Sequence, residues 1–401
     1  MNRVFLLIMD CVWIIFSGAI GWFALSSSPR FPVLLLTVPI LWALASTRFA
    51  AFGVWFAFKL TVSRGLIPGA AVFLPETHTP AQAVLLWLLM SLGVSLPFGI
   101  FWSEKPRKKA ALLVAAFIVA YVLPPVSLIG IVNPLIAVGC ILPGWGWRGL
   151  FVGIAIFCIC ASWRKAATAI LAIVLVLPLF NLASLKPSPA PHDFLAVNTS
   201  FGRLGSGSFK FQDDYDRAKM VFDHLRQIRI HEAREKYIVL PETIAGRLNE
   251  SGLRLWRDEM SKVLREDQIV FFGAEIPTDD SAKYDNAVVF WGNGKAGVIR
   301  QRIPVPYSMY RGPFSDNGAS LHFFDNGISE LPDGRRIVAV ICYEAFLTWP
   351  YLVPFLCESK SIICVSNLWW CHDTSLPIIQ TTYLKAWGQL FGISVVFACN
   401  I

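Results

Sequence analysis

A helical membrane domain followed by an α/β domain is the fold class this sequence predicts, and three observations predict it. Of 401 residues, 55% are hydrophobic and only 15% are charged, too apolar a balance for a wholly soluble chain. The apolar excess lies before residue 186, whereas the charges and most of the histidines lie after it. Beyond that point long apolar runs give way to short strand-like and helix-like segments in alternation. The expected division is a transmembrane domain over 1–185, a proline-rich connector over 186–192 and an α/β domain over 193–401.

A bilayer needs roughly 17–25 apolar residues per helix, and about seven such spans fit at 4–26, 31–46, 49–65, 82–102, 110–128, 149–163 and 166–184. The second, third and sixth are short or poorly bounded. Basic residues set the orientation: Arg3, the cluster Lys105-Pro106-Arg107-Lys108-Lys109 and the pair Arg164-Lys165 are expected on the cytoplasmic side. An odd number of spans then leaves everything after residue 185 outside. The N-terminal run has no small-residue cleavage site and reads as a retained span. Between Pro124 and Trp147 the chain stays apolar yet carries Pro124, Pro125, Pro134, Pro143, Gly144 and Gly146, which a regular lipid-facing helix does not tolerate. It reads either as a re-entrant or interface-lying hairpin, with Trp145 and Trp147 at headgroup depth, or as a distorted helix pair. Pro75 to Pro80 reads as an ordinary outward turn.

The connector, Lys186-Pro187-Ser188-Pro189-Ala190-Pro191-His192, favours an extended chain through its repeated prolines. After it, strands are expected at 194–197, 237–240, 269–274, 286–291, 297–303, 337–341, 361–365 and 393–398, with helices at 215–235, 253–264, 349–357 and 376–390. Asp333-Gly334 marks a tight hairpin turn before the run Ile337-Val338-Ala339-Val340-Ile341, which ends in Cys342. Cys342 therefore closes a buried strand, where open α/β sheets place their sites. Glu242 follows the strand at 237–240 in the same way. A carboxylate beside a thiol can take its proton and produce the thiolate that attacks an ester or amide carbonyl. The plain alternatives are a core cysteine and a solvated loop acid.

Other constellations are weaker. Nine cysteines without a CxxC pair give neither a disulfide framework nor a zinc site, and no metal or cofactor is expected. Cys371-His372-Asp373 is contiguous, whereas catalytic triads assemble from distant positions. His78, His192, His224, His231 and His322 lack ligand spacing and default to solvated or core roles. Gly202, Gly205 and Gly207 form no phosphate-binding pattern. The net charge of +8 gathers beside hydrophobic spans, which marks topology and excludes nucleic acid as the expected partner.

Four segments, in order, carry a family resemblance: Val239-Leu240-Pro241-Glu242-Thr243, Val305-Pro306-Tyr307-Ser308-Met309-Tyr310, Ile341-Cys342-Tyr343-Glu344 and Ser366-Asn367-Leu368-Trp369-Trp370. They resemble motifs of the nitrilase (carbon–nitrogen hydrolase) superfamily, and the Cys-Tyr-Glu form with a multispan N-terminal domain is similar to the apolipoprotein N-acyltransferases. The resemblance covers nearly the whole chain and implies an αββα sandwich after the membrane domain. It also implies a Glu–Lys–Cys triad, with Glu242 as general base, Cys342 as nucleophile and Glu344 as a further site residue. The lysine position holds Gln301, flanked by Arg300 and Arg302. On a strand those arginines point away from the face of Gln301, so only a one-residue slip brings Arg302 in to support an oxyanion. Met309 stands where the family has an acid and Leu368 where it often has Asp. The acyltransferases return to the membrane by a final helix, whereas this sequence stops at Asn400-Ile401, so that span is expected to be absent or cut away.

Two functions follow as expectations. One is a membrane thiol acyltransferase or amidase-like enzyme, with a phospholipid or lipoprotein as substrate reaching Cys342 along the 124–147 segment. The other is a scaffold that kept the fold and lost the triad lysine. The overall plan also resembles membrane proteins of plasmid conjugation, which implies mating-pair proteins as partners.

Overall fold

Side chains that alternate between two buried faces organise the C-terminal half, and helices with outward-facing apolar side chains organise the N-terminal half. The structure, a computed structural model, describes residues 3–73, 80–186, 191–203, 211–280, 282–312 and 317–401. The connector residues 187–190, the turn at 75–79, and Gly205 and Gly207 lie outside the described residues. The chain divides into two compact units.

The first unit comprises Met1–Ser188, Phe346–Trp349 and Cys371–Ile393. Its helices are α1 (Arg3–Phe23), α2 (Thr37–Leu44), α3 (Arg48–Val62), α4 (Leu66–Phe73), α5 (Pro80–Ile100), α6 (Pro106–Tyr121), α7 (Gly146–Ser162) and α8 (Arg164–Val176), joined by the late helix Leu376–Phe391. On α1 the buried face holds Asp10, Ser17, Gly18, Ile20 and Gly21, while Leu7, Ile8, Ile15, Trp22 and Phe23 face outward. Apolar side chains outside and small or polar ones inside suit a lipid surround.

Among the described residues two helices, α1 and α5, are long and apolar enough to cross a membrane, and the bent pair α3–α4, broken by 43°, makes up to three. Of the about seven spans expected, these two or three have the length and apolarity of a full crossing. Every expected span contains helix, but α6 stops at Tyr121 ahead of Pro124, α8 stops at Val176 ahead of Pro178, and α2 follows the 3-10 turn Pro32–Leu36. Hydropathy continues where the backbone has ceased to be helical. The segment 124–147 forms two 3-10 turns, Val126–Ile129 and Pro134–Cys140, the second buried throughout. Lys109 differs from the rest of its cluster: its ammonium is buried and donates to the Ala43 carbonyl at 2.7 Å, leaving Lys105, Arg107 and Lys108 exposed. The late helix is bound into this unit by Asn133 N–H donating to Tyr383 Oη (3.1 Å) and by Gln389 Nε2 donating to the Gly139 and Ser184 carbonyls (both 2.9 Å).

The second unit comprises Pro189–Ala345, Pro350–Trp370 and Ser394–Ile401. Its first sheet has β1 (Phe194–Ala196), β2 (Tyr237–Val239), β3 (Ile269–Pro277), β4 (Lys283–Gly292) and β5 (Lys295–Arg300) in that order, with β6 (Gly318–Ala319) beside β4. The second has β7 (Ile328–Glu330), β8 (Arg336–Ile341), β9 (Ser361–Asn367) and β10 (Ser394–Asn400) in the order β10-β9-β8-β7. Parallel pairs β1–β2 and β2–β3 are linked through α9 (Phe211–Gln227) and α10 (Glu250–Val263). Buried Ala218, Val221, Phe222 and Leu225 on α9, and Trp256, Met260 and Val263 on α10, pack with Ile238, Val270 and Phe272 on the outer face of the first sheet. The other face carries Val239, Phe271 and Val288, which pack with Ile337, Ala339, Ile341, Ile363 and Val365 of the second sheet. β8 is buried on both faces, hence its unbroken apolar run. Cys357 follows α11 (Trp349–Leu356). Of the expected αββα layers, this unit contains helices on the first sheet and two packed sheets; the late helix groups with the first unit.

Gly273 on β3 lets the turn that follows β2 pass closely. A Cβ there would lie 2.3 Å from Thr243 N and 2.4 Å from Glu242 Cα, both backbone atoms that cannot rotate away. Gly273→Ala is expected to cost about 1–3 kcal/mol as overpacking, measured by denaturant unfolding, and to displace the Glu242 turn. Unchanged stability would contradict this packing.

Candidate functional site

Two strand ends supply the candidate residues. Leu240 N–H donates to the Phe271 carbonyl at 2.7 Å, extending the β2–β3 pairing, and Pro241 then releases the chain into the turn that holds Glu242. Cys342 ends β8 and opens the 3-10 turn Cys342–Phe346. Cys342 has φ +48° and Thr243 has φ +51°, left-handed conformations that non-glycine residues adopt at a cost of roughly 1–3 kcal/mol and that cluster at functional sites.

The structure brings Glu242, Cys342 and Gln301 together. The Cys342 thiol hydrogen-bonds the Glu242 carboxylate. Asn286 Nδ2 donates to Glu242 Oε1 at 2.7 Å and to Gln301 Oε1 at 2.9 Å, while Asn367 N–H donates to Glu242 Oε2 at 2.9 Å. Gln301 Nε2 donates to the Ile341 carbonyl at 2.9 Å, one residue before the thiol. Burial pushes the Glu242 carboxyl up to about 7, against the pull of hydrogen bonds from Cys342, Asn286 and the Asn367 N–H. Its contacts are neutral donors, so the acid stays far weaker than an ion-paired carboxylate would be.

Arg302 and Glu344 lie together and are directed elsewhere. Both are almost wholly buried. Glu344 accepts from Arg302 N–H (2.6 Å), Ile303 N–H (3.0 Å), Ile341 N–H (2.9 Å) and Arg302 Nη2 (3.3 Å). The guanidinium also donates to the Pro350 and Ala339 carbonyls, at 2.7 and 2.8 Å, and lies against Gly327, where a Cβ would fall 2.5 Å from Cζ. Its Nη donors are directed to Glu344 and main-chain carbonyls, away from an oxyanion at Cys342. The side-chain alternation of a strand end gives this separation: Gln301 and Arg302 are consecutive and face opposite ways. Met309 lies in the turn at 305–310, where its carbonyl accepts from Ala319 N–H at 2.9 Å.

Asn286 is the site residue that sequence reasoning missed. It is a buried polar residue on the inter-sheet face of β4, in step with Val288, and that departure from an apolar alternation was the available signal. Asn367, quoted only as part of a motif, supplies a main-chain donor to Glu242, and its side chain donates to Thr243 Oγ1 at 3.0 Å. His322 is paired rather than solvated: its Nε2 lies 2.8 Å from Asp285 Oδ1. His372 and Asp373 form an exposed pair at 3.0 Å, while Cys371 is buried. Among the described residues no His, Cys, Asp and Glu cluster could hold a metal ion.

Arg302→Met leaves Glu344 buried without its cation and is expected to cost about 3–5 kcal/mol in denaturant unfolding. If Arg302 instead supported an oxyanion directly, the substitution would suppress chemistry at Cys342 while leaving stability near that of wild type.

Comparison with known proteins places this chain. No family model matches it. It is 32% identical to the conjugal transfer protein TraB of Agrobacterium fabrum over 421 aligned positions, covering 99% of this chain and 93% of that protein. It is 30% identical to the probable conjugal transfer protein TraB of Sinorhizobium fredii, covering 96% of this chain and 95% of that protein. Solved structures give partial likenesses. An amidase of the nitrilase superfamily from Nesterenkonia AN1 is 11% identical with a TM-score of 0.37, over 54% of this chain and 79% of its own. The CN-hydrolase superfamily protein XC1258 from Xanthomonas campestris is 13% identical with a TM-score of 0.35, over 52% and 75%. By sequence identity along nearly its whole length, the chain belongs to the TraB family of conjugal transfer proteins.

Proposed function

We propose that this protein is a membrane-integrated, nitrilase-like thiol acyltransferase or amidase-type enzyme that serves plasmid conjugal transfer, with Cys342 as nucleophile and Glu242 as general base. One observation carries the reading: the Cys342 thiol is hydrogen-bonded to a buried carboxyl whose pKa of about 7 suits proton exchange at neutral pH. Glu242 takes the thiol proton as sulfur attacks the acyl carbonyl of an ester. The carbon–oxygen bond breaks, and the leaving alcohol recovers that proton from Glu242. An amine then attacks the thioester, forming the amide, and its proton returns through Glu242 to the Cys342 sulfur. The lipid-facing character of α1 and α5 supports a phospholipid or lipoprotein acyl donor in the bilayer. The reading has several spans in the inner membrane, residues 186–401 on the periplasmic side, and conjugation proteins as partners.

Gln301 favours a second reading, a scaffold of the conjugation apparatus. It offers a neutral donor where a triad lysine would offer a cation, which costs on the order of 10²–10³ in rate if charge is needed on the oxyanion. Conjugation frequency in a deletion strain separates the two. Under the enzyme reading Cys342→Ser abolishes complementation, and Gln301→Lys leaves it intact or improves it. Full complementation by Cys342→Ser, a nearly isosteric change, rejects the enzyme and leaves the scaffold.

The pH profile gives a second test. Proton transfer from Cys342 requires ionised Glu242, so alkylation of Cys342 is expected to rise with pH through about 7 and then level. Glu242→Gln should remove that step. A wild-type profile with a single midpoint near about 8.5, the value of a free thiol, would sink the assignment of the base.

A further inference from the structure

Asn400 is a wholly buried polar residue at the end of β10, in register with Asn367 at the end of β9. An amide sealed from water needs its donors and acceptors met, and here all are. Its Oδ1 accepts from the Thr199 hydroxyl at 2.8 Å and the Phe201 N–H at 2.9 Å, while its Nδ2 donates to the Gly202 carbonyl at 2.8 Å and to Asn367 Oδ1 at 3.0 Å. All of these residues belong to the second unit, as do Glu242, Thr243 and Cys342.

The main chain dictates which way this amide faces. Residues 199–202 are paired with the end of β10 without help from the side chain: Thr199 N–H donates to the Cys399 carbonyl (3.0 Å), Ile401 N–H to the Thr199 carbonyl (2.9 Å) and Gly202 N–H to the Ile401 carbonyl (3.0 Å). The Phe201 N–H so placed admits only an acceptor and the Gly202 carbonyl only a donor, so the oxygen and nitrogen of Asn400 cannot be exchanged. That settles the next amide in turn. Asn367 must present its oxygen to Asn400 Nδ2, which leaves its own Nδ2 to donate to Thr243 Oγ1 at 3.0 Å. Its carbonyl accepts from Trp370 Nε1 at 3.0 Å, and its N–H donates to Glu242 Oε2 at 2.9 Å. Asn367 is thus tied at every polar atom. Two of those ties end on consecutive residues of one turn, Glu242 and the left-handed Thr243.

We propose that Asn400 is a positioning residue for Glu242: it sets the orientation of Asn367, whose main chain and side chain then hold the carboxyl and the Thr243 turn beside Cys342. The inference rests on Glu242 being the base for Cys342. It gives a residue that acts only through another a measurable effect on the thiol. The hydrogen bond from Asn367 N–H holds the Glu242 carboxyl below the value that burial alone would give it, so loosening Asn367 raises it. Ionised Glu242 is then reached only at higher pH, and the pH profile of Cys342 moves up. Glu275 on β3, Tyr284 on β4 and Cys364 on β9 also lie within electrostatic reach of this carboxyl, and substitution at Asn400 leaves them in place.

The test uses the full chain in detergent micelles, with iodoacetamide alkylation of Cys342 followed by mass spectrometry as a function of pH. Asn400→Leu, of similar size and without polar atoms, is expected to raise the midpoint from about 7 by about 1 unit, the effect of one weakened hydrogen bond to a carboxylate. Thr199→Val removes a different bond of Asn400 and keeps Nδ2 on Asn367, so its midpoint stays at the wild-type value. Thr243→Val releases Asn367 from the other side and is expected to raise the midpoint by about half a unit. Combined with Asn400→Leu, it adds little, because both act through the same residue. An unmoved midpoint in Asn400→Leu, an equal rise in Thr199→Val, or shifts that sum in the double variant overturn the inference. If Asn400→Leu does not fold, Thr243→Val decides: a rise supports the inference and an unmoved midpoint overturns it. A wild-type midpoint near about 8.5 overturns the base assignment together with this one. A wild-type midpoint near about 7 that neither Asn400→Leu nor Thr243→Val moves overturns the positioning role alone.

Discussion

The buried Glu242 carboxyl is the constraint around which the second unit is arranged. An acid removed from water must be given donors, and those supplied are the side chain of Asn286 on β4, the main chain at Asn367 after β9, and the Cys342 thiol at the end of β8. Donors from both sheets reach one carboxyl only because the sheets pack face to face. They reach it closely only because β3 has no side chain at Gly273. None carries a charge, so desolvation prevails and the acid titrates near neutrality, where it can both accept and return a proton.

A second buried carboxylate, Glu344, lies two residues beyond the thiol and is treated in the opposite way. It is matched with a guanidinium and three main-chain N–H groups, and this ties the β8 end to residues 302–303. Paired so fully, it holds the shape of the turn. Two acids in neighbouring positions thus take separate roles because one faces neutral amides and the other an arginine.

The first unit uses polar groups differently. Asp10 accepts from Ser46 N–H at 2.9 Å, Ser17 donates to the Val54 carbonyl at 2.8 Å, and Lys109 holds the end of α2. Asp10 and Lys109 satisfy main-chain groups where helices break, which water does elsewhere and cannot do inside an apolar bundle, while Ser17 ties α1 to the middle of α3. The late helix joins this unit because Tyr383 and Gln389 take part in the same bonding.

Periodicity carries far along this chain. Strand alternation, the 3.6-residue stripe of α9 and the hairpin at Asp333-Gly334 depend on neighbours within a few residues, so the order of the longer elements after residue 193 was legible in the sequence, though not the short strands β6 and β7, as were the strand-end positions of Glu242 and Cys342. Helix length in the apolar half was not, because hydropathy records composition while prolines and broken turns decide where hydrogen bonding stops. The contacts of Gln301, Arg302 and Glu344 were not legible either. Consecutive residues on a strand face opposite ways, and which face meets the thiol depends on the register of β4 with β5 and on the packing of two sheets. Asn286, 15 residues before Gln301 and 44 after Glu242, joins them only when the hairpin and the parallel strands are folded together. What the sequence by itself determined was which residues can do chemistry and on which strand ends they sit. Which of them lie within hydrogen-bonding reach of one another was decided by tertiary structure, because hydrogen bonds reach only about 3 Å and nothing in linear spacing says which distant strands come within that range.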